Sequence, residues 1–177
     1  NQNSTVTNHQ ISISGATDKI NYLTSFNYFD QQGIIGGPAS DFKRYSFRLN
    51  LDAQATKYLK VGTNMAFVSS NRNAIFDNGD QGGSVVGNAV NIDPITPLYE
   101  TDPAKLALYN VNAVKNGTQV YGISPLATFP NPAAQLAIIN GTNRVEKIFG
   151  NVFGEVNLAK GLKFRSTYGI DLSFNTS

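Results

Sequence analysis

Hydrophobic and polar residues alternate with a period of two in six stretches of the chain. Successive side chains of a β-strand point to opposite faces of a sheet, so the alternation predicts six strands with two different faces, although the fifth is ambiguous because Phe149 and Phe153 lie on its polar face. The predicted strands lie near residues 7–15, 20–30, 43–54, 60–71, 144–158 and 162–174. In the clearest of them, the third, one face carries Tyr45, Phe47, Leu49, Leu51 and Ala53, and the other carries Arg44, Ser46, Arg48, Asn50 and Asp52.

The connections between these strands are short, longer, short, very long and short in chain order. Alternate connections of an up-and-down meander lie at opposite ends of the sheet, so the tight turns gather at one end and the long loops at the other. Outer-membrane barrels show this asymmetry, with short periplasmic turns and long extracellular loops. The sequence therefore predicts an all-β, antiparallel meander from a larger transmembrane β-barrel, with residues 73–143 as a long extracellular loop.

Strand length and proline placement agree with this prediction. Strands of about 10–12 residues, tilted near 40°, span roughly the 25 Å of an outer-membrane apolar band. All seven prolines lie in the two long connections, where they interrupt no strand ladder. Because a membrane barrel needs at least eight strands and both ends of the chain look cut, we expect residues 1–177 to be part of a barrel whose other strands lie outside this sequence.

Composition excludes several other functions. The chain has no cysteine and one histidine, which argues against disulfide scaffolds, thiolate chemistry and multi-histidine zinc sites. A net charge of +2 gives no reason to expect nucleic acid binding. No catalytic constellation or phosphate-binding glycine motif occurs, so we expect no enzyme activity and no cofactor. Outer-membrane lipid is the expected partner of the apolar face.

Two sets of candidate site residues follow. Arg44, Arg48, Asn50 and Asp52 would line a polar lumen if the opposite face meets lipid, or they form a solvated, mutually paired hydrogen-bond ladder without a ligand. In the long loop, the candidates for a ligand mouth are Asp77, Asp80, Tyr99, Tyr109 and Tyr121. The alternative for this loop is a lid that only covers the rim. The segment 77–83 resembles a calcium loop only superficially, since it lacks the acid spacing and the final glutamate.

Two shorter segments of the long loop carry local predictions. Asp102 followed by Pro103 predicts a short helix with Asp102 as N-cap and the proline in its first turn. The segment 92–99 contains two prolines and is predicted to be extended, because a residue before proline avoids the helical region.

Several runs of residues resemble the SusC/RagA family of TonB-dependent outer-membrane transporters. The runs are His9–Gly15, Tyr22–Ile35, Phe42–Asp52, Tyr58–Gly62, Phe149–Phe153 and Lys160–Lys163. The resemblance implies a 22-stranded barrel in the bacterial outer membrane, filled by a plug domain and energised through TonB. It also implies a SusD-like surface lipoprotein as partner and a glycan or peptide as ligand. Plug and TonB-contacting segment have no counterpart here, so no functional residue is transferred from the family.

The leading hypothesis is thus part of a nutrient-import receptor, contributing barrel wall and extracellular loops. The rival is a secreted β-sandwich, such as an adhesin or a carbohydrate-binding module. The two differ in what covers the apolar face, which is lipid in the barrel and a second sheet in the sandwich.

Overall fold

A computed structural model describes residues 3–75, 84–108, 115–126, 128–138 and 141–177. The chain forms two compact units. The sheet unit comprises residues 1–33, 41–72 and 142–177, and the loop unit comprises residues 34–40 and 73–141.

Strands dominate the described residues, and short helices occur in the loop unit. The strands are β1 (Val6–Ala16), β2 (Ile20–Gln32), β3 (Asp41–Gln54), β4 (Leu59–Ala74), β5 (Lys115–Asn116), β6 (Gln119–Val120), β7 (Gly141–Ala159) and β8 (Leu162–Thr176). The helices are α1 (Val85–Asn91), α2 (Pro103–Leu108), α3 (Pro132–Ile138) and a 3₁₀ turn (Gly37–Ala39). No described helix is long and apolar enough to cross a membrane.

The six long strands form one sheet in the order β1-β2-β3-β4-β7-β8. β1 pairs with β2, β2 with β3, and β7 with β8, each in antiparallel register. Every sheet neighbour is also the next long strand along the chain, so the predicted antiparallel meander is confirmed. We call the end that holds the tight turns at residues 17–19, 55–58 and 160–161 the turn end, and the opposite end the loop end.

The register places apolar side chains of neighbouring strands on a common face. Ile11 lies opposite Phe26, and Phe26 lies opposite Phe47. At the β7–β8 edge of the same face, Ile148 lies opposite Leu172 and Val156 opposite Phe164. We call this the apolar face and its reverse the polar face. Within the described sheet unit no second sheet or helix covers the apolar face, and the side chain of Phe47 is 45% exposed.

The loop unit contains more helix than the sequence predicted. The capped helix is confirmed as α2: the Ala104 N–H donates to Asp102 Oδ1 at 2.9 Å, and the Leu106 N–H donates to the Asp102 carbonyl at 2.9 Å. The extended prediction for residues 92–99 is wrong at its centre. A turn at Pro94 and Ile95 brings the Thr96 N–H to 3.3 Å from the Asp93 carbonyl.

The turn forms because side-chain hydrogen bonds reverse the chain there. A proline only keeps the preceding residue out of the helical region and does not require an extended chain. The Asp93 carboxylate accepts from the Ile95 backbone N–H, which is the bond of an Asx turn, and from the Thr96 hydroxyl at 2.9 Å. Helices α1 and α3 were not predicted, since each is only seven residues long and carries little periodic signal.

Candidate functional site

The four candidate lumen residues share the polar face of β3. Arg44 lies opposite Phe29 of β2, and its guanidinium carbon is 5.5 Å from the centre of the Phe29 ring. Asp52 lies near the turn end and pairs with Lys60 of β4, with Nζ 3.0 Å from Oδ2. Arg48 and Asn50 lie between them on the same face. Asp52 thus pairs across to the next strand, whereas Arg44 packs against an aromatic ring.

A buried phenylalanine interrupts the polar face at β7. Phe153 is only 7% exposed, although this face has no covering layer among the described residues of the sheet unit. Its ring occupies the space above Gly62 of β4, where a Cβ atom would lie 2.5 Å from the ring. The guanidinium of Arg165 on β8 covers the ring at 3.9 Å. Glycine and arginine together therefore enclose one aromatic ring on a single sheet, an arrangement known as aromatic rescue of glycine.

Glu155 on β7 is the charged neighbour of Arg165. Glu155 Oε2 lies 4.0 Å from Arg165, and Glu155 Oε1 lies 3.3 Å from Lys163 Nζ. Glu155 lies directly opposite Arg165 in the β7–β8 register. Sequence reasoning missed this cluster, because the strand carries apolar residues on both faces, with Phe149 and Phe153 on one and Ile148 and Val152 on the other. The signal that could have found it was a glycine on the adjacent strand.

In the loop unit, Tyr99 and Tyr121 form a pair. The two residues make an isolated antiparallel bridge, and their ring centres are 5.1 Å apart. The side-chain amide of Asn116 donates to the Tyr99 hydroxyl at 2.9 Å. Burial, with a smaller effect from the hydrogen bond to Tyr99, raises the pKa of Tyr121 above 10.0, so its phenol stays protonated at neutral pH. Tyr121 is thus the buried member of the pair, and Tyr99 is the half-buried one whose hydroxyl is bonded to Asn116.

Asn131 connects the segments around this tyrosine pair. Its side-chain amide donates to the carbonyls of Gly122 at 3.1 Å, Pro97 at 3.3 Å and Leu98 at 3.4 Å. Its Oδ1 accepts from the Ala133 N–H at 3.0 Å and so caps α3. One buried amide thus fixes the segment before Tyr99, the chain after Tyr121 and the start of a helix.

Two carboxylates of the loop unit are held by local donors. Glu100 is buried, and its Oε1 accepts from the N–H groups of Thr101 and Asp102, both at 3.0 Å. Asp93 accepts from the hydroxyls of Ser124 and Thr96. The Ser124 bond, opposed in part by burial, holds the pKa of Asp93 below 3.8. Both carboxylates serve to shape the loop, since their oxygens already bind donors of the loop itself.

Three of the predicted ligand-mouth residues, Asp77, Asp80 and Tyr109, lie outside the described residues, as does the segment 77–83. Within the described part of the chain, no group of three or more histidine, cysteine, aspartate or glutamate side chains could hold a metal ion. Of the five predicted ligand-mouth residues, Tyr99 and Tyr121 are the two that the structure describes, and they are in contact.

Comparison with known proteins identifies the class. The chain is 30% identical over 168 residues to TonB-dependent receptor P26 of Formosa agariphila, a match that covers 93% of this chain and 14% of the relative. It is 29% identical over 154 residues to TonB-dependent receptor SusC of Bacteroides thetaiotaomicron, covering 82% of this chain and 15% of SusC. The chain therefore spans about one seventh of the length of these relatives, which are named as receptors and not as enzymes. No family model matches the chain.

Solved structures agree on the fold. The RagAB peptide importer in its open-open state superposes with a TM-score of 0.62 at 21% identity, covering 95% of this chain and 17% of the solved chain. A second structure, of the RagAB peptide transporter, gives a TM-score of 0.61 at 22% identity and covers 96% of this chain. Sequence and fold together match one segment of a SusC/RagA-type TonB-dependent receptor, and the resemblance inferred from the sequence is confirmed.

Proposed function

We propose that this chain forms part of the barrel wall and one large extracellular loop of an outer-membrane nutrient importer of the SusC/RagA type. The observation that carries the proposal is the single-layered meander whose apolar face has no protein cover within the described sheet unit. In water such a face would be a large apolar patch, whereas in a bilayer it is the surface that contacts acyl chains.

Both outer strands of the sheet, β1 and β8, have a neighbour on one side only. Unpaired backbone groups in hydrocarbon cost several kcal/mol each, so a membrane sheet must continue until it closes. We therefore propose that further strands pair with β1 and β8 and complete a barrel of 22 strands, the number implied by the family resemblance.

The polar face then borders the lumen, and Arg44, Arg48, Asn50 and Asp52 are proposed as lumen residues. Tyr99 and Tyr121, with Asp77, Asp80 and Tyr109, are proposed for the ligand mouth. The half-buried ring of Tyr99 and the neighbouring Asn116 amide suit either a glycan or a peptide, and RagAB is described as a peptide importer. A SusD-like lipoprotein and TonB are the proposed partners of the whole receptor, and outer-membrane lipid surrounds the wall.

Labelling of neighbouring residues tests the orientation of the sheet. The experiment uses the full-length receptor in outer membranes, with Phe47→Cys and Arg48→Cys as single variants. Both lie on β3, next to each other and on opposite faces, and the 177-residue chain has no cysteine of its own. A lipid-soluble maleimide should modify the cysteine at 47, and a small water-soluble maleimide should modify the cysteine at 48.

The control pair is Leu49→Cys and Asn50→Cys, which should repeat the same alternation two residues along the strand. Modification of both 47 and 49 by the water-soluble reagent alone would contradict a lipid-facing surface. Protection of both positions from either reagent would favour a sandwich, in which a second sheet covers this face.

A further inference from the structure

Charged residues of the apolar face are confined to one end of the sheet. On the described strands of this face they are Asp30, Asp41, Lys43, Arg144 and Glu146, and all five lie at the loop end. From Tyr45 to Ala53 and from Ile148 to Leu158 the same face carries none. If the face meets lipid, as proposed above, the loop end lies at the depth of the headgroups, where charges cost little.

This polar end contains a recess on β3, β4, β7 and β8. Its volume is about 500 Å³, and its lining includes Tyr45, Ser69, Asn71, Thr142, Arg144 and Thr176. Hydroxyl and amide groups provide most of its polar atoms. Arg144 is held by Glu146 of the same strand, with Nη2 2.5 Å from Oε1.

Two buried oxygens at this end have no hydrogen-bond partner among the described residues. They are Asn71 Oδ1, in the recess, and Asp30 Oδ1 on β2. Tyr28 links the two places: its ring centre lies 5.1 Å from that of Tyr45, and its hydroxyl donates to Asp30 Oδ2 at 2.8 Å. A buried oxygen without a donor costs about 1–3 kcal/mol, so Asn71 Oδ1 in the recess suits a ligand that donates hydrogen bonds.

We propose that this recess binds the sugar headgroup of a glycolipid in the surrounding outer leaflet. Sugar hydroxyls donate to Asn71 Oδ1 and accept from the serine, threonine and asparagine groups, and a sugar ring packs on Tyr45. A bare phosphate donates no hydrogen bond to Asn71 Oδ1, and the acids of this end outnumber its bases. An ammonium headgroup also donates, and the experiment separates it from a sugar. The inference rests on the proposed membrane orientation.

The test uses the full-length receptor in nanodiscs of phosphatidylethanolamine, with and without lipopolysaccharide purified from the expressing cells. Native mass spectrometry measures how much lipopolysaccharide each receptor retains. Asn71→Leu should reduce its apparent affinity about tenfold, the value of one lost hydrogen bond to a buried acceptor. Ser69→Val, a smaller change in the same recess, should reduce it about threefold to tenfold.

Asn21→Leu is the matched control, since it makes the same exchange on the polar face at the turn end and should leave retention unchanged. Equal retention by the wild type and both recess variants would overturn the proposal. Preferential loss of phosphatidylethanolamine in the recess variants would also overturn it and assign the recess to an amine headgroup. Failure of the membrane orientation itself is seen separately, in the labelling of positions 47 and 48.

Discussion

The enclosure of Phe153 shows how a single absent side chain shapes the sheet. The ring lies where a Cβ of Gly62 would have to be, and Arg165 covers its other side at 3.9 Å. In an antiparallel sheet, side chains on one face stand about 5 Å apart, so a large ring can lie flat only over a glycine. This position on β4 therefore has no room for a side chain.

Gly62→Ala tests this enclosure. The new Cβ would lie 2.5 Å from the Phe153 ring and 2.7 Å from Asp52 Oδ1, so the ring must turn out and lose its cover. We expect a loss of about 1–3 kcal/mol in stability, as for other overpacked sites. The measurement is the temperature at which the full-length receptor loses its folded mobility in gel electrophoresis.

Gly154→Ala is the matched control, because a Cβ at that glycine meets nothing within 4 Å. It should leave the unfolding temperature almost unchanged. Equal effects of the two substitutions would show that glycine flexibility, and not the space beneath Phe153, matters at position 62.

Ser124→Ala tests the bond that lowers the pKa of Asp93. Without the hydroxyl the pKa should rise toward 3.8. A lowered pKa in the folded state stabilises the turn above pH 3.8, and this contribution is lost as the pH falls through the lowered pKa. The Thr96 amide should therefore exchange faster in the variant at neutral pH, and the difference should shrink below pH 3.8.

Hydrogen–deuterium exchange of the Thr96 amide at several pH values provides the measurement. Ser124→Thr keeps the hydroxyl and should behave like the wild type. A difference that stays constant down to the lowest pH would mean that Ser124 acts by packing and not through the carboxylate.

At the scale of elements, local caps account for the short helices of the loop unit. Helices of six or seven residues are too short to be stable by propensity alone. α2 begins with a bond from the Ala104 N–H to Asp102, and α3 begins with a bond from the Ala133 N–H to Asn131. Each cap also belongs to a wider network, so the helices depend on the loop that carries them.

Asp102→Ala should weaken α2. Loss of an N-cap costs about 1 kcal/mol, which corresponds to about fivefold faster amide exchange at Leu106. Thr101→Ala is the control, because only the backbone N–H of Thr101 takes part in the bonds around Glu100. Unchanged exchange at Leu106 in Asp102→Ala would show that α2 is held by other contacts.

At the scale of the whole molecule, the sheet has a large exposed apolar face and two outer strands that each lack one neighbour. Phe47 and Tyr168 are 45% and 68% exposed on that face. Exposed strand edges and apolar patches of this kind associate in water. The sheet unit is therefore suited to a larger assembly and to a lipid surface.

Without the rest of the receptor and without lipid, the apolar face of the sheet should be exposed to water. The isolated 177-residue chain in detergent-free buffer should aggregate or form large oligomers, as measured by light scattering during size-exclusion chromatography. Detergent micelles should keep it dispersed. A stable monomer in plain buffer, with strand content like that of the sheet, would contradict a lipid-facing apolar surface.

The period-two pattern by itself determined the six long strands, their faces and their order. Strand faces depend on local alternation, and each strand pairs with the next long strand along the chain, so a one-dimensional pattern is sufficient. The N-cap at Asp102 could be predicted for the same reason, since a cap involves residues only two to four positions apart.

Contacts between distant residues were decided by the tertiary structure alone. The cover of Phe153 by Gly62 and Arg165, the three carbonyls bound by Asn131 and the pairing of Tyr99 with Tyr121 each depend on register or on chain reversal. The turn at Pro94 likewise depends on Ser124, which binds Asp93 from far along the chain. Local propensity contains no information about such partners, because the free energy of these contacts arises only when the chain has folded.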